Sequence, residues 1–240
     1  MKILAIDTSH PVGSVSFQIN DSEPKTLSFG TELSHLVELG ESVATLLDGK
    51  ARPDEIDRVA LVIGPGSFTG LRIGMAYTKG LYAALGVDVV MVGTLELLAL
   101  PLVGERERVC CMVDARKSEV YAAIYGGKLD GSGLPAAEPG GEARAVAPAQ
   151  LLVSLSRGQV VCVGSGAARF RREIEEVSTV TVAPDRFNLP STEVLCRIGT
   201  GLSPLTKEAL SRLEPDYIRP SDAKLRRIRT HGQRHTRSDE

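Results

Sequence analysis

The chain has 240 residues, 42% of them hydrophobic and 24% charged, with a formal net charge of −2; this excludes a disordered chain and leaves room for two small domains. Aromatic residues make up 4% and Trp is absent, so base stacking on aromatic platforms is a poor candidate mechanism. The charge is uneven: residues 224–240 carry six Lys or Arg against two acidic residues, a net of +4, and the first 223 carry 22 basic and 28 acidic residues, a net of −6.

In chain order, KILAID (2–7) reads as a strand, VGSVSFQI (12–19) as an alternating strand after a TSHP turn, and TLSF (26–29) as a third antiparallel strand. A helix is expected from about Glu32 to Leu47, with Thr31 as its N-cap. Strand RVALVI (58–63) then leads through the turn GPGSFTG into a long helix ending at Leu85, followed by strand VVMV (89–92). The second half repeats this order. VCCMVD (109–114), a turn at ARKS and EVYAAIYG (119–126) form another hairpin. A loop rich in Gly, Pro and Ala is expected at 127–141, a third strand at EARAV (142–146) and a helix at 147–157. Strand VVCVG (160–164), a helix at 167–176, strand TVTVA (179–183) and a helix at 191–202 complete the pattern.

Both halves therefore run strand, Asp, polar turn, strand, third strand, helix, strand, helix. This order predicts an α/β protein made by duplication of one unit, the plan of the actin-like (ASKHA, ribonuclease H-like) fold with two lobes. The boundaries are an N-terminal lobe at 1–103, a C-terminal lobe at 104–223 and a basic tail at 224–240 that lacks apolar periodicity and is expected to be disordered. The tail reads as a solvated segment, with RNA phosphates or an acidic partner as the alternative.

The four cysteines, Cys110, Cys111, Cys162 and Cys196, show no C-x-x-C spacing and read as buried thiols, with Cys110 and Cys111 on opposite faces of their strand. Neither a signal peptide nor an apolar run of membrane-spanning length is found, so a cytoplasmic location without membrane contact is expected. His231 and His235 have i, i+4 spacing but lie in the basic tail, and His35 has Leu39 at i+4, so no metal site is expected.

Two features could carry chemistry. The turn GPGSFTG lacks the Lys-Ser/Thr ending of a P-loop; its backbone N–H groups at Ser67, Thr69 and Gly70 could hold an anion, or the glycines could serve a tight corner. Asp7, followed by Thr8 and Ser9, ends the first strand where an actin-like fold orients a metal–phosphate complex, and Asp114 sits in the matching place; each could instead cap its own turn. No cofactor is expected to be intrinsic, and weak ATP or ADP binding at these turns is kept as an addition.

The long helix says more. Arg72 and Lys79 are the only charges in residues 70–86 and share one stripe two turns apart. Small residues recur every fourth position at Gly70 and Gly74, then Ala76, Gly80 and Ala84, which predicts a helix packed on two sides, by the sheet and by a second domain or protein. On the preceding helix Leu33, Leu36, Val37, Gly40, Val43, Ala44 and Leu47 form a broad apolar stripe, and His35, Leu39, Ser42 and Leu46 a mixed strip suited to an interface rim.

KILAIDTS, GPGSFTGLRIGMAYTKGL, VDARKSEVYAA and PDYIRP together resemble the bacterial TsaB family, in order over about residues 1–220. The resemblance implies a non-catalytic paralogue of TsaD that takes part in making N6-threonylcarbamoyladenosine at position 37 of transfer RNA, with the TsaE ATPase joining the pair and TsaC supplying the threonylcarbamoyl-adenylate. It implies contact with tRNA only through the complex, and pairing through the first two helices as a TsaD heterodimer or a homodimer. The residues it puts at that interface are His35, Leu36, Leu39, Val43 and Leu46 on one helix, and Ile73, Tyr77, Gly80, Leu81 and Ala84 on the other. Relatives often carry a His-Ser-Glu-like run where His35 is here followed by Leu36 and Val37. The alternative reading is an active actin-like ATPase or phosphotransferase resting on Asp7 and Asp114. A peptidase reading has no metal or nucleophile site to stand on.

Overall fold

Two sheets of matching topology make up the computed structural model, which describes residues 1–30, 35–104, 108–131, 133–138, 141–155 and 158–218. The N-cap expected at Thr31, Leu33 of the apolar stripe and the tail at 224–240 lie outside the described residues.

In the first half the alternating segments β1 (Lys2–Asp7), β2 (Gly13–Ile19) and β3 (Lys25–Phe29) pair antiparallel in sequence order, with Asp7 opposite Ser14 and Ser14 opposite Ser28. On the other side of β1, β4 (Arg58–Val62) and β5 (Asp88–Val92) run parallel, giving the order β3-β2-β1-β4-β5. Helices α1 (His35–Leu47) and α2 (Phe68–Leu85) provide the crossovers. After α3 (Thr94–Ala99) the plan repeats. β6 (Val109–Asp114) pairs antiparallel with β7 (Val120–Leu129), whose other edge takes β8 (Pro135–Ala137) and β9 (Arg144–Val146). β10 (Val160–Val163) and β11 (Val180–Val182) run parallel beyond β6. Helices α4 (Pro148–Leu155), α5 (Ser165–Arg169) and α6 (Arg171–Glu175) belong to this half, and α7 (Thr192–Gly199) and α8 (Lys207–Arg212) end it. This is the duplicated actin-like fold that the order of segments predicts.

β1 is buried on both faces, which is why KILAI reads as a continuous apolar run. Leu4 and Ile6 meet α1, α2 and Leu210 of α8, and Ile3 and Ala5 meet Leu195 and Cys196 of α7 and Leu97 of α3. The two halves thus exchange helices: α7 covers the first sheet, and Leu95, Leu98 and Ala99 of α3 pack with Cys111, Val113 and Tyr125 of the second. All four cysteines are buried and free, and Cys110 and Cys111 enter different clusters, as their alternation requires.

Several elements differ from expectation. α3 and α8 were not anticipated: α3 is apolar on nearly every side because it lies between the halves, so it shows no amphipathic period. β7 runs on to Leu129 and β8 forms within the stretch expected to be loop. The expected helix at 167–176 starts at Ser165 and breaks at Phe170, whose φ of −105° and ψ of 25° leave the helical region.

Candidate functional site

The β1–β2 turn and the β6–β7 turn face the junction of the lobes, and each Asp closes its own turn. Asp7 Oδ1 accepts the Ser9 N–H at 2.8 Å, and Asp114 Oδ1 accepts the Arg116 N–H at 2.9 Å. Asp114 is also gripped by Arg169, which donates from Nη1 to both carboxylate oxygens at 2.7 and 2.8 Å.

The glycine turn GPGSFTG is a packing corner. A methyl at Gly66 would lie 2.3 Å from the Ser9 carbonyl oxygen, one at Gly70 2.0 Å from that of Thr8, and one at Gly74 2.4 Å from Thr8 Oγ1. The Ser67 N–H donates to Ser9 O at 2.7 Å, the Gly70 N–H to Ser67 Oγ at 3.1 Å, and the Leu71 N–H to Ser67 O at 2.9 Å. The donors expected to hold an anion at Ser67 and Gly70 are therefore engaged within the corner, and Thr69 is exposed beside it. The small residues at 70 and 74 admit the turn after β1, not a second helix.

His10 joins the lobes. It is 3% exposed, and its Nδ1 lies 2.8 Å from Ser9 Oγ and its Nε2 3.3 Å from Ser165 Oγ at the start of α5. Ser165 Oγ also accepts the Asp114 N–H at 3.2 Å, so one chain of hydrogen bonds crosses from the first turn to the second. Its place in DTSHP was the only sequence signal for this role.

Burial lowers the His10 pKa below its ordinary value near 6.5, against the attraction of Asp7, and burial raises that of Asp7. The unfolded chain then takes up a proton on His10 before the folded one does. Stability carried by neutral His10 is present above about pH 6.5 and falls away below it, by at most about 1.4 kcal/mol per pH unit. Asp7 acts with the opposite sign, because with its pKa raised the folded chain binds its proton before the unfolded one does. Urea midpoints at pH 7.5 and 5.5 are expected to differ less in His10→Asn than in the unmodified chain.

The second candidate surface is the outer side of α1 and α2, where the structure redistributes the expected interface. His35, Leu39, Val43 and Leu46 are buried in the lobe's own core: His35 is 0% exposed, sits edge-on to Phe29 and reaches Pro11 O through Nε2 at 2.9 Å. Leu36 and Val37, which are 74% and 64% exposed, point outward with Ala44. The mixed strip is the core face because its apolar members meet β2 and β3, and part of the broad apolar stripe is left open. On α2, Gly80 and Ala84 are exposed with Ala76 and Ala83, and Ile73, Tyr77 and Leu81 are half-buried. The helices meet where a methyl at Gly40 would sit 3.9 Å from the Tyr77 ring.

The second cover expected on α2 comes partly from the same chain. Arg72 stacks 3.9 Å from the Phe68 ring centroid and donates from Nε to the Tyr217 hydroxyl at 3.0 Å, and Lys79 donates to Leu213 O at 2.8 Å. The two charges of the long helix tie down the segment after α8. Among the described residues, no group of three or more His, Cys, Asp or Glu side chains is placed to hold a metal ion, and no helix is long and apolar enough to cross a membrane.

Comparison with known proteins places these features. The family model for TsaD, tRNA N6-adenosine threonylcarbamoyltransferase, matches residues 31–137. The tRNA threonylcarbamoyladenosine biosynthesis protein TsaB of Escherichia coli (strain K12) is 31% identical over 232 residues, spanning 91% of this chain and 95% of that protein. The TsaB protein of Bacillus subtilis (strain 168) is also 31% identical, over 126 residues, so the chain spans 55% of that relative. Among solved structures, an uncharacterised protein described as similar to peptidase YeaZ from Pseudomonas aeruginosa matches with a TM-score of 0.72 and 25% identity, over 91% of this chain and 99% of that one. YeaZ from Pseudomonas aeruginosa matches with a TM-score of 0.69 and 24% identity, over 90% and 100%, a likeness of fold.

Proposed function

This chain belongs to the TsaB family of tRNA threonylcarbamoyladenosine biosynthesis proteins, and on that premise we propose that it is a non-catalytic cytoplasmic subunit that pairs with TsaD, with TsaE joining the pair, for modification of adenosine 37. The observation that carries this reading is the open apolar face of α1 and α2, formed by Leu36, Val37, Ala44, Ala76, Gly80, Ala83 and Ala84 with Ile73, Tyr77 and Leu81 half-buried among them. α2, with 18 residues, is about 27 Å long and α1, with 13, about 20 Å, so the face they share is an extended one. Small exposed residues on α2 let a partner helix approach closely, and Leu36 and Val37 supply apolar anchors. Of the two carboxylates that the enzyme reading rests on, Asp114 is paired with Arg169 and Asp7 accepts the Ser9 N–H of its own turn.

Two measurements test this. Purified alone, the protein is expected to transfer nothing to tRNA, and addition of TsaD, TsaE, TsaC, ATP, threonine and bicarbonate restores modification; transfer by the isolated chain overturns the reading. Leu36→Asp and Ala84→Arg alter exposed positions, so each should change stability by no more than about 0.5 kcal/mol. Each is expected to abolish co-elution with TsaD on size exclusion. Unchanged co-elution of both variants would place the partner on another surface.

A further inference from the structure

A second polar feature lies on the opposite side of the first sheet from α1 and α2. A cavity of about 230 Å³ opens between β1–β3 and the first turn of α7. The strand register builds its wall: Asp7, Ser14 and Ser28 lie in one row across three strands, and Ser16 and Thr26 form the next row on the same face. A face covered by a helix is ordinarily apolar, and here it carries hydroxyls. Ser16 Oγ lies 2.7 Å from Thr26 Oγ1 and 2.7 Å from Thr192 Oγ1, and Thr192 Oγ1 is 3.3 Å from Ser14 Oγ. Thr26 donates to Glu193 Oε1 at 3.0 Å, which fixes that carboxylate in the wall.

Three ionisable side chains line the cavity: the carboxyl groups of Asp7 and Glu193 and the guanidinium of Arg186. Asp7 is 2% exposed and accepts the Ser9 N–H, and it forms no ion pair among the described residues. Burial raises its pKa, so a cation beside it would relieve its desolvation. Arg186, also on the lining, is exposed, lies 4.6 Å from the Phe187 ring centroid and makes no hydrogen bond to a described residue. The first turn of α7, capped by Ser191, brings the positive end of a helix dipole to the lining, and Glu193 in the same turn offsets it. The volume equals about eight water molecules and lies below the roughly 300 Å³ at which cofactor-sized pockets begin, so a nucleotide is too large.

We propose that this cavity binds a small amino acid as its zwitterion, with the ammonium toward Asp7, the carboxylate toward Arg186, and any side-chain hydroxyl toward the Ser14 and Thr192 hydroxyls. A ligand with only an ammonium leaves Arg186 unanswered, one with only a carboxylate leaves Asp7 unanswered, and a neutral polyol leaves both. The site is independent of the α1–α2 face, so its failure leaves the pairing with TsaD untouched.

The test is calorimetry on the full chain at neutral pH with glycine, L-serine and L-threonine, and with ethanolamine and glycolate as the ammonium-only and carboxylate-only probes. Amino acids are expected to bind at least about tenfold more tightly than either probe. Arg186→Gln, at an exposed position, is expected to remove that tenfold preference and to leave the thermal midpoint of the free protein in place. Asp7→Asn should remove binding of ethanolamine and amino acids alike, with circular dichroism as its folding control. Lack of heat from every amino acid up to about 10 mM overturns the proposal, as does equal binding of ethanolamine or an unchanged preference in Arg186→Gln.

Discussion

Gly70→Ala is expected to destabilise the N-terminal lobe by about 3 kcal/mol or more, because its methyl makes the closest approach of any added at a described glycine. The added carbon would lie 2.0 Å from the Thr8 carbonyl oxygen, a backbone atom that cannot rotate away. Either the turn after β1 lifts off α2, breaking the 2.7 Å bond from the Ser67 N–H to Ser9 O, or the helix shifts on a core it meets through Met75. Gly80→Ala in the same helix is the control, because its methyl meets nothing within 4 Å. Ala has the higher helix propensity, so Gly80→Ala should stabilise by about 0.5–1 kcal/mol. Urea unfolding followed by circular dichroism reads both. Equal midpoints for Gly70→Ala and the unmodified protein would mean that the corner is not the close contact described.

Arg58→Met is expected to cost about 3 kcal/mol. Arg58 begins β4 and is nearly buried, and its Nη1 donates to Gly199 O, Leu202 O and Thr200 O at 2.8, 3.0 and 3.2 Å. These carbonyls end α7, which the second half sends across to the first sheet, so one guanidinium fastens the helix that joins the halves. The substitution leaves three carbonyls without their donor. Arg58 Nη2 also reaches Asp88 Oδ2 at 3.2 Å, but Asp88 is exposed, so Asp88→Asn should cost less than about 1 kcal/mol. Arg58→Lys is expected to recover only part of the loss, because one ammonium cannot reproduce the planar fork. Thermal midpoints of the three variants check the order. A loss in Asp88→Asn as large as in Arg58→Met would transfer the effect to the ion pair.

Much of the fold was legible from local pattern. The Asp-turn hairpins at 2–19 and 109–126 fold as read, because alternation and turn residues act over a few neighbours. The buried thiols followed from spacing and strand period. The faces of α1 did not follow. Both of its stripes hold apolar residues at helical spacing, and only the position of β2 and β3 selects His35, Leu39, Val43 and Leu46 for the core and leaves Leu36 and Val37 outside. The glycine turn was ambiguous for a similar reason, since Gly66 and Gly70 would serve a phosphate or a carbonyl equally well, and Thr8 and Ser9 supply the carbonyls.

The sequence by itself determined the duplicated unit, the two lobes and the family, because each is written in short-range order and in a long motif around GPGSFTGLRIG. Only the tertiary structure decided that His10 bridges the two turns, that Arg169 holds Asp114, that Arg58 caps a helix from the other half, and that Asp7, Ser14 and Ser28 share a row beside Arg186. Three of the four join residues more than 50 positions apart, and the fourth sets residues of β1–β3 beside the chain at 186. No local period carries such contacts: Arg169 reaches Asp114 only once the second half has folded, and the others exist only once the exchanged helices have brought the two halves together.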